Sequence, residues 1–199
     1  MAEKIAPVPR GERLDMLPDT YVCLDLETTG FSPRRGSEIL EIAAVLTEDF
    51  RVVREFSRTV RPRGDIPPAI TFLTGISREI VRFSGPIETV LPEFLELAGD
   101  LPVVGHNVTF DLGFLSYYSR EVTGRYFLNP YVDTLQLSRS VFTPARCGGK
   151  VSHSLEALSE RLEVEAMPSH RALRDVYATH QCYRALTAVI AGELLKEEQ

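Results

Sequence analysis

The sequence predicts an α/β domain with a mixed sheet, and two observations support this fold class. Near the start, three consecutive segments rich in apolar and β-branched residues are typical of an antiparallel meander. Beyond them, short apolar segments alternate with stretches of helical periodicity, as in proteins whose helices pack on a sheet. A chain of 199 residues can bury a substantial core as one domain. We therefore expect an irregular arm over residues 1–19 and a single domain over residues 20–196.

Each element is predicted from its own local pattern. The first strand is expected over residues 21–26, which are mostly apolar or β-branched, and Gly30 closes the turn that follows. The polar pair Glu48-Asp49 is typical of a hairpin between the second and third strands. Apolar residues at helical spacing, followed by Gly99, predict a helix over residues 87–98. The same criteria predict strands over 38–47, 52–60, 101–105 and 131–133, helices over 108–121, 134–140, 154–162 and 169–196, short helical turns over 69–82, and loops over 31–37 and 143–152.

The composition indicates an ordinary globular protein, with 44% hydrophobic and 25% charged residues. No apolar stretch approaches the ~18 residues that a membrane-spanning helix needs, and the first ten residues do not resemble a secretion signal. The three cysteines, Cys23, Cys147 and Cys182, show no metal-binding spacing and cannot all pair. We expect a cytoplasmic protein with reduced cysteines and no membrane contact.

The charges are distributed unevenly along the chain. A net charge of −6 argues against a generally basic nucleic-acid-binding surface. Five arginines nevertheless lie between residues 51 and 63, and Arg34 and Arg35 follow the first predicted strand. Arginine forms forked contacts with phosphate, but exposed arginines also occur on solvated surfaces that bind nothing. Composition alone leaves both interpretations open.

Two acids lie within or directly after the first predicted strand. Asp25 and Glu27 are two residues apart, so they project from the same face of a strand. Two unpaired carboxylates on a core strand would repel each other and resist burial, so we expect a cation between them. The segment itself contains no lysine or arginine. The alternative is a strand end at which both acids face water or arginines from elsewhere in the chain.

Two more acids occur among predicted core residues. Asp111 falls in the first turns of a predicted helix, and Asp175 lies near the start of the last one, five residues after His170. In α/β proteins, sites form at the carboxyl ends of strands and the adjacent helix starts, so all four acids can meet. Four carboxylates provide hard oxygen ligands for two divalent cations such as Mg²⁺ or Mn²⁺. His170, with an ordinary pKa near ~6.5, is suited to take a proton from water.

These motifs resemble those of the DEDD-type 3′–5′ exonucleases of the DnaQ-like group, in the subclass with histidine in the last motif (DEDDh). The chain is similar to the exonuclease domains of DNA polymerase III epsilon subunits and PolC-type polymerases, over about residues 19–190. The resemblance implies an RNase H-like fold, a five-stranded mixed sheet flanked by helices. The main motifs are DLETTG at Asp25–Gly30, HNVTFDLGFL at His106–Leu115 and HRALRD at His170–Asp175; weaker ones lie at 41–45, 73–77, 133–139 and 152–162.

The resemblance also implies roles for individual residues. His170 would be the general base, and Asp25 would bridge the two cations. A related subclass has tyrosine in place of the histidine, but His170, and not the nearby Tyr177, occupies the matching position. The acids that would bind Mg²⁺ or Mn²⁺ are Asp25, Glu27, Asp111 and Asp175. The expected substrate contacts are Thr28, Thr29, Phe31, Leu73, Asn107 and Phe110.

Several of these residues also have a structural interpretation. Thr28 and Thr29 can contact the 3′ nucleotide or simply shape the turn. Phe31 can stack on a base or pack in the core. Asn107 can contact the nucleotide or cap the helix that follows it. Glu41, on the second strand, is interpreted as structural.

The predicted function is metal-dependent removal of nucleotides from the 3′ end of single-stranded DNA, in proofreading or repair, with release of nucleoside 5′-monophosphates. An enzyme that trims RNA would use the same type of site. A non-catalytic polymerase-binding module would have lost the acids, whereas all four acids and His170 are present. Because the last predicted helix leaves no tail for docking, we expect a free-standing enzyme or only weak contact with a DNA polymerase.

Overall fold

The computed structural model describes residues 7–164 and 171–197, whose strands form one mixed sheet in the order β3-β2-β1-β4-β5. Neighbours among β1, β2 and β3 are antiparallel, whereas β4 pairs in parallel with both β1 and β5. The prediction of a five-stranded mixed sheet is therefore confirmed. The strands are β1 (Tyr21–Thr28), β2 (Ile39–Glu48), β3 (Arg51–Thr59), β4 (Val103–Gly105) and β5 (Tyr131–Asp133).

Helices cover both faces of this sheet, and no helix of the described residues is long and apolar enough to cross a membrane. A short 3-10 helix (Pro33–Arg35) lies in the predicted loop between β1 and β2. The α-helices are α1 (Pro68–Thr74), α2 (Arg78–Val81), α3 (Ile87–Ala98), α4 (Thr109–Thr123), α5 (Thr134–Val141), α6 (Pro144–Cys147), α7 (Leu155–Arg161) and α8 (Arg171–Glu197).

β1 lies at the centre of the sheet and is buried on both faces. Leu24 and Leu26 belong to a hydrophobic cluster that includes side chains of α3 and α4. Tyr21 and Cys23 belong to another cluster, which includes side chains of α8. Because side chains alternate along a strand, the two clusters lie on opposite faces of the sheet. α8 therefore covers the face of β1 that carries the odd-numbered residues.

Two polar contacts fix α8 against β1. The Cys23 thiol donates a hydrogen bond to the Val176 carbonyl at 3.4 Å, and the Tyr21 hydroxyl shares one with Nδ1 of His180 at 2.8 Å. Burial lowers the pKa of His180 to about 4, so its imidazole is neutral at neutral pH. Both contacts set the position of α8 along the central strand.

The hairpin between β2 and β3 differs from the prediction by one residue. Glu48 still pairs with Arg51 as the last strand pair, and the turn consists of Asp49 and Phe50, with φ of 49° and 59°. Positive φ at both turn residues matches the right-handed twist of the strands, which favours this two-residue turn. A large aromatic residue is an uncommon choice for positive φ, so Phe50 gives no local signal for this turn in the sequence.

One loop prediction also needs correction. The predicted loop over 143–152 contains α6, a single turn whose N-cap Thr143 accepts the backbone N–H of Arg146. One turn is too short to show periodicity in the sequence, so only the Thr-Pro cap signalled it. The predicted start of the last helix at residue 169 lies outside the described residues, and α8 is described from Arg171.

Part of the predicted irregular arm is attached to the sheet. Residues 7–20 form no helix or strand of their own, but Arg13 bridges to Tyr131 of β5. The backbone N–H of Leu14 donates to the Tyr131 carbonyl at 2.8 Å, and the Tyr131 N–H donates to the Glu12 carbonyl at 2.9 Å. These bonds place the arm along the free side of β5.

Candidate active site

Two of the predicted acids lie on the α8 face of β1. Asp25 and Glu27 follow Cys23 at two-residue spacing, so they project from the same face as Cys23. The contact between Cys23 and Val176 places the first turns of α8 beside them. Asp175 directly precedes Val176, and the structure therefore brings the last predicted acid to the same end of β1.

Asp111 reaches β1 from the first turn of α4. Its side chain is buried, and its Oδ1 accepts the backbone N–H of Leu26 at 3.1 Å. Burial raises the pKa of Asp111, while its hydrogen bonds with backbone N–H groups oppose that shift. A carboxylate from α4 is thus fixed between the two acids of β1 along the strand.

Asp25 is the centre of the acidic cluster. Burial raises its pKa well above the ordinary range, and repulsion by four other carboxylates raises it further, in the order Asp111, Glu27, Asp175 and Glu41. All four predicted acids therefore lie close enough to interact electrostatically. Within residues 7–164 and 171–197, however, no three His, Cys, Asp or Glu side chains form a ready-made metal cage. The cluster is a concentration of negative charge that a cation would neutralise.

Asp175 is partly exposed, with 43% of its side chain accessible. Burial raises its pKa, and the neighbouring Arg174 partly opposes this shift. The Nε atom of Arg174 lies 3.7 Å from Oδ1 of Asp175. Arg174 is therefore an ion-pair partner of one predicted ligand.

Glu41 is a fifth acid of the cluster that the sequence did not assign to the site. It is buried, lies directly opposite Glu27 on β2, and accepts a hydrogen bond from the Ser57 hydroxyl at 3.2 Å. Like charges on opposed strand positions repel each other, so this pairing adds to the excess negative charge. The signal was the acid in the EIAAV segment, but its place opposite Glu27 depends on the strand register.

The predicted general base, His170, lies outside the described residues, so its role stays a prediction. The structure does describe Tyr177, the nearby tyrosine that the tyrosine subclass offers as an alternative to His170. The Tyr177 hydroxyl donates a hydrogen bond to Oε1 of Glu55 on β3. This bond to an outer strand favours a structural role for Tyr177.

The hydroxyl groups of the two predicted threonine contacts are used within the turn after β1. Thr28 donates to the Gly30 carbonyl at 2.7 Å, and Thr29 accepts the backbone N–H of Glu38 at 2.8 Å. Both bonds hold the turn in shape, which supports the structural interpretation of these hydroxyls. The backbone N–H of Thr29 also donates a hydrogen bond within this turn, to the Glu38 carbonyl at 2.8 Å.

Two predicted substrate contacts are exposed hydrophobic side chains. Phe31 is 91% exposed, so of its two interpretations the structure excludes packing in the core. It lines a cleft together with Phe110, which precedes Asp111. Leu73, near the end of α1, is 80% exposed. All three side chains remain available to a ligand.

Asn107 does not cap α4, contrary to the structural interpretation of its side chain. The N-cap is Val108, which provides no side-chain hydrogen bond, and Asn107 adopts a left-handed conformation with φ of 59°. Asparagine tolerates this conformation better than most residues. The backbone N–H of Asn107 donates to Oδ1 of Asp133 at 2.8 Å. The turn that leads into α4 is therefore held by a residue of β5.

Asp133 is a positioning residue that the sequence analysis did not single out. Its carboxylate is buried, and Oδ1 also accepts the backbone N–H of Leu135 at 3.0 Å, which caps α5. One oxygen thus links the start of α5 to the turn before α4, which carries Asp111. The available signal was an Asp-Thr pair at the boundary between a predicted strand and a predicted helix.

The Asp133→Ala substitution is expected to lower the free energy of unfolding by about 1–2 kcal/mol, because α5 loses its N-cap. Asp133→Asn keeps a side-chain oxygen as acceptor and should lose less. Urea denaturation followed by circular dichroism measures both changes. Equal stability of wild type and Asp133→Ala would contradict the positioning role.

His106, the first residue of the HNVTFD motif, is occupied within the protein. Its Nδ1 lies 2.9 Å from the Thr134 hydroxyl, and its Nε2 lies 3.0 Å from the His153 carbonyl. Burial is the main cause that lowers its pKa. These contacts connect the β4–α4 turn to the segment before α7.

The comparison that decides the family covers most of the chain. A family model described as Exonuclease (RNase_T) matches residues 22–183. The chain belongs to this exonuclease family. The prediction of a DnaQ-like 3′–5′ exonuclease enzyme is thereby confirmed.

Among proteins of similar sequence, this exonuclease is 38% identical over 180 residues to the DNA polymerase III subunit epsilon of Aquifex aeolicus, covering 90% of the chain and 86% of the relative. It is 37% identical to a PolC-type DNA polymerase III of Thermotoga petrophila and 37% identical to the 3′–5′ exonuclease DinG of Bacillus subtilis. These matches cover 82% and 80% of the chain but only 12% and 16% of the relatives.

Solved structures show the same fold. Exonuclease X in complex with 5′ overhanging duplex DNA matches with a TM-score of 0.64 and 26% identity, covering 84% of this chain and 92% of that one. Escherichia coli exonuclease I in complex with a dT13 oligonucleotide matches with a TM-score of 0.71 and 21% identity, covering 90% of this chain and 43% of that one. The predicted RNase H-like fold is therefore confirmed.

Membership in the exonuclease family implies dependence on a divalent metal ion. The residues of this chain fit such an ion, because the ligands on offer are carboxylate oxygens and the pKa of Asp25 is raised by the other acids. A bound cation would replace repulsion between the acids by attraction to a common charge. The donor set therefore agrees with a hard divalent cation.

Proposed function

We propose that this exonuclease removes nucleotides from the 3′ end of single-stranded DNA and releases nucleoside 5′-monophosphates. The observation that carries the proposal is the acidic cluster around Asp25, whose pKa is raised by burial and by four carboxylates. DNA is supported by the names of similar proteins: a polymerase subunit, and exonucleases in complex with DNA. The catalytic unit is proposed to be one domain over residues 20–196.

The acids would hold two divalent cations, Mg²⁺ or Mn²⁺, between β1, α4 and α8. Asp25 would be the acid shared by both, since all other acids of the cluster interact with it. Such cations, when bound, would lower the pKa of the attacking water and stabilise charge on the attacking and leaving oxygens. The ligands are Asp25, Glu27, Asp111 and Asp175.

The remaining residues would bind and orient the 3′ nucleotide. His170 accepts a proton from the attacking water. Thr28 and Thr29 contact the terminal nucleotide, while Leu73 and Phe110 provide apolar contacts for its base. Asn107 is exposed at the entrance to α4 and can donate a side-chain hydrogen bond. In this arrangement the acids bind the cations, and the residues around them orient the nucleotide.

The proposal is tested with 5′-labelled oligonucleotides of one sequence: single-stranded DNA, 3′-recessed duplex DNA and single-stranded RNA. With Mg²⁺ or Mn²⁺ we expect a ladder that shortens from the 3′ end, fastest on single-stranded DNA, and no ladder with EDTA. Chromatography should identify nucleoside 5′-monophosphates. Asp100→Asn, an exposed acid in the turn before β4, is the matched control and should keep full activity.

Two outcomes would contradict parts of this proposal. Faster degradation of RNA than of DNA would show that RNA is the preferred substrate. Release of nucleoside 3′-phosphates would contradict the proposed site of bond cleavage. A contact with a DNA polymerase is also proposed, because similar proteins are polymerase subunits or polymerases. Sedimentation of this exonuclease with a replicative polymerase as one complex would show that the contact is strong and not weak.

A further inference from the structure

Two adjoining clefts form a groove along α4, the helix that carries Asp111. Its first section, of about 600 Å³, lies between residues 7–10, residues 31–37 and the first turns of α4. Its second section, of about 580 Å³, extends towards the end of the same helix. Val8 and Arg34 line both sections, so the two form one surface, which we call the α4 groove.

The groove lies beside predicted substrate contacts and is bounded by the arm. Phe31 and Phe110 line its first section, and Phe110 directly precedes Asp111 of the acidic cluster. On the other side, Arg10 donates a hydrogen bond from Nη1 to the Thr109 carbonyl at 2.8 Å, which holds the arm against the start of α4. A strand whose 3′ nucleotide contacts Phe31 and Phe110 can therefore continue into the groove.

Aromatic rings occur along the whole groove. Phe31 and Phe110 lie in the first section, and Tyr117 and Tyr126 in the second. Tyr126 is 41% exposed, and the guanidinium of Arg120 lies 5.5 Å from the centre of its ring. Proteins that bind single-stranded nucleic acid without sequence preference use such rings as platforms for bases, each worth about 1–3 kcal/mol.

The charge of the groove is opposite to that of the whole chain. The chain carries a net charge of −6, but the groove is lined by four arginines and by one acid, Glu121. Glu121 lies 3.8 Å from Arg63, which neutralises it in part. Arginine forms forked contacts with phosphate. The arginines of the groove are Arg10, Arg34, Arg35 and Arg120.

We propose that the α4 groove binds the part of the DNA strand that lies 5′ of the nucleotide being removed. This inference rests on the proposed function, because that function places the 3′ end at the acids. From Thr109 to Glu121 the helix rises about 18 Å, which matches about five nucleotides at the ~3.4 Å spacing of stacked bases. The length of the groove thus determines how many nucleotides of single-stranded DNA the enzyme binds.

Binding of fluorescent DNA oligomers of 2 to 12 nucleotides in EDTA tests the inference without hydrolysis. Affinity should rise with length up to about six nucleotides, the removed one included, and then level off. The double substitution Arg34→Ala and Arg35→Ala should weaken binding of the 12-mer by about tenfold or more. It should also reduce the slope of log Kd against log salt by about 1.4, the value for two single-strand phosphate contacts.

Two further variants make the test specific. Tyr126→Ala, an exposed ring far along the groove, should weaken binding of the 12-mer by at least about fivefold while changing binding of the dinucleotide little. Arg51→Ala with Arg54→Ala is the matched control, because both arginines are exposed on β3. This control should keep the length dependence and salt slope of the wild type.

The result that overturns the inference is a 12-mer affinity equal to that of the dinucleotide, or an equal loss in the groove and control variants. Hydrolysis of thymidine 5′-(4-nitrophenyl) phosphate, which has no upstream nucleotides, reports separately on the chemistry at the acids. No hydrolysis by the wild type with Mn²⁺ would refute the proposed function alone. Normal hydrolysis without length-dependent binding would refute the groove alone.

Discussion

Asp25→Asn is expected to reduce exonuclease activity by at least about 10³-fold, because the substitution removes a charge from the centre of the metal-binding acids. Burial and four other carboxylates raise the pKa of Asp25, which places it at the centre of the cluster. No other acid of the cluster occupies its position between Cys23 and Glu27 on β1. Degradation of single-stranded DNA with Mg²⁺ measures the loss. Asp100→Asn again serves as the control.

The same Asp25→Asn substitution is expected to stabilise the metal-free protein at neutral pH, because it removes a buried carboxylate that four other carboxylates repel. The folded pKa of Asp25 lies above the unfolded value, so the folded state binds more protons between the two. The free energy of unfolding therefore falls as pH rises through that window and stays low above it. The variant lacks this titration and should show a flatter dependence from pH 4 upwards.

The two Asp25 results must occur together. Urea denaturation in EDTA, repeated across pH, gives the stability of wild type and variant. Adding Mg²⁺ should stabilise the wild type more than the Asp25→Asn variant, because a ligand that binds only the folded state raises its stability. A variant that loses both activity and metal-free stability would show that Asp25 supports the fold and not the chemistry.

His170→Ala is expected to lower kcat by about 10²–10⁴-fold while leaving Mn²⁺ affinity unchanged. The expected cause is loss of the group that takes a proton from water, with the four carboxylates intact. The acidic limb of the wild-type pH profile, where the base is protonated and activity falls, should also disappear. Calorimetry of Mn²⁺ binding separates this result from damage to the metal site.

Tyr177→Phe is the matched control for His170, since tyrosine replaces histidine in a related subclass. The Tyr177 hydroxyl bonds to Glu55 of β3, so its removal should change kcat by less than about threefold. The assignment of the base would be reversed if Tyr177→Phe were nearly inactive and His170→Ala nearly normal.

Most of the fold could be predicted because its elements have strong local patterns. α3 covers the predicted residues 87–98, and β5 covers residues 131–133. What could not be predicted depends on contacts between distant segments or on single turns. The left-handed Asn107 is held by Asp133, and the arm pairs with Tyr131, so neither has a local cause.

The site could be predicted in part for the same reason. Strand alternation alone places Asp25 and Glu27 on one face, which the structure shows. Asp111 and Asp175 reach the same site because β1 lies at the centre of the sheet, and sequence periodicity does not give that position. Glu41 joined the cluster only through the β1–β2 register.

The two edges of the sheet are protected from association in different ways. Along β5, the arm occupies the backbone groups that another strand would use. Along β3, nine residues form an open edge on which Arg51, Arg54 and Arg58 are exposed. Charged side chains on an edge strand oppose pairing with a second chain, since like charges would meet. The arginines on one edge and the arm on the other thus oppose pairing of this sheet with a second chain.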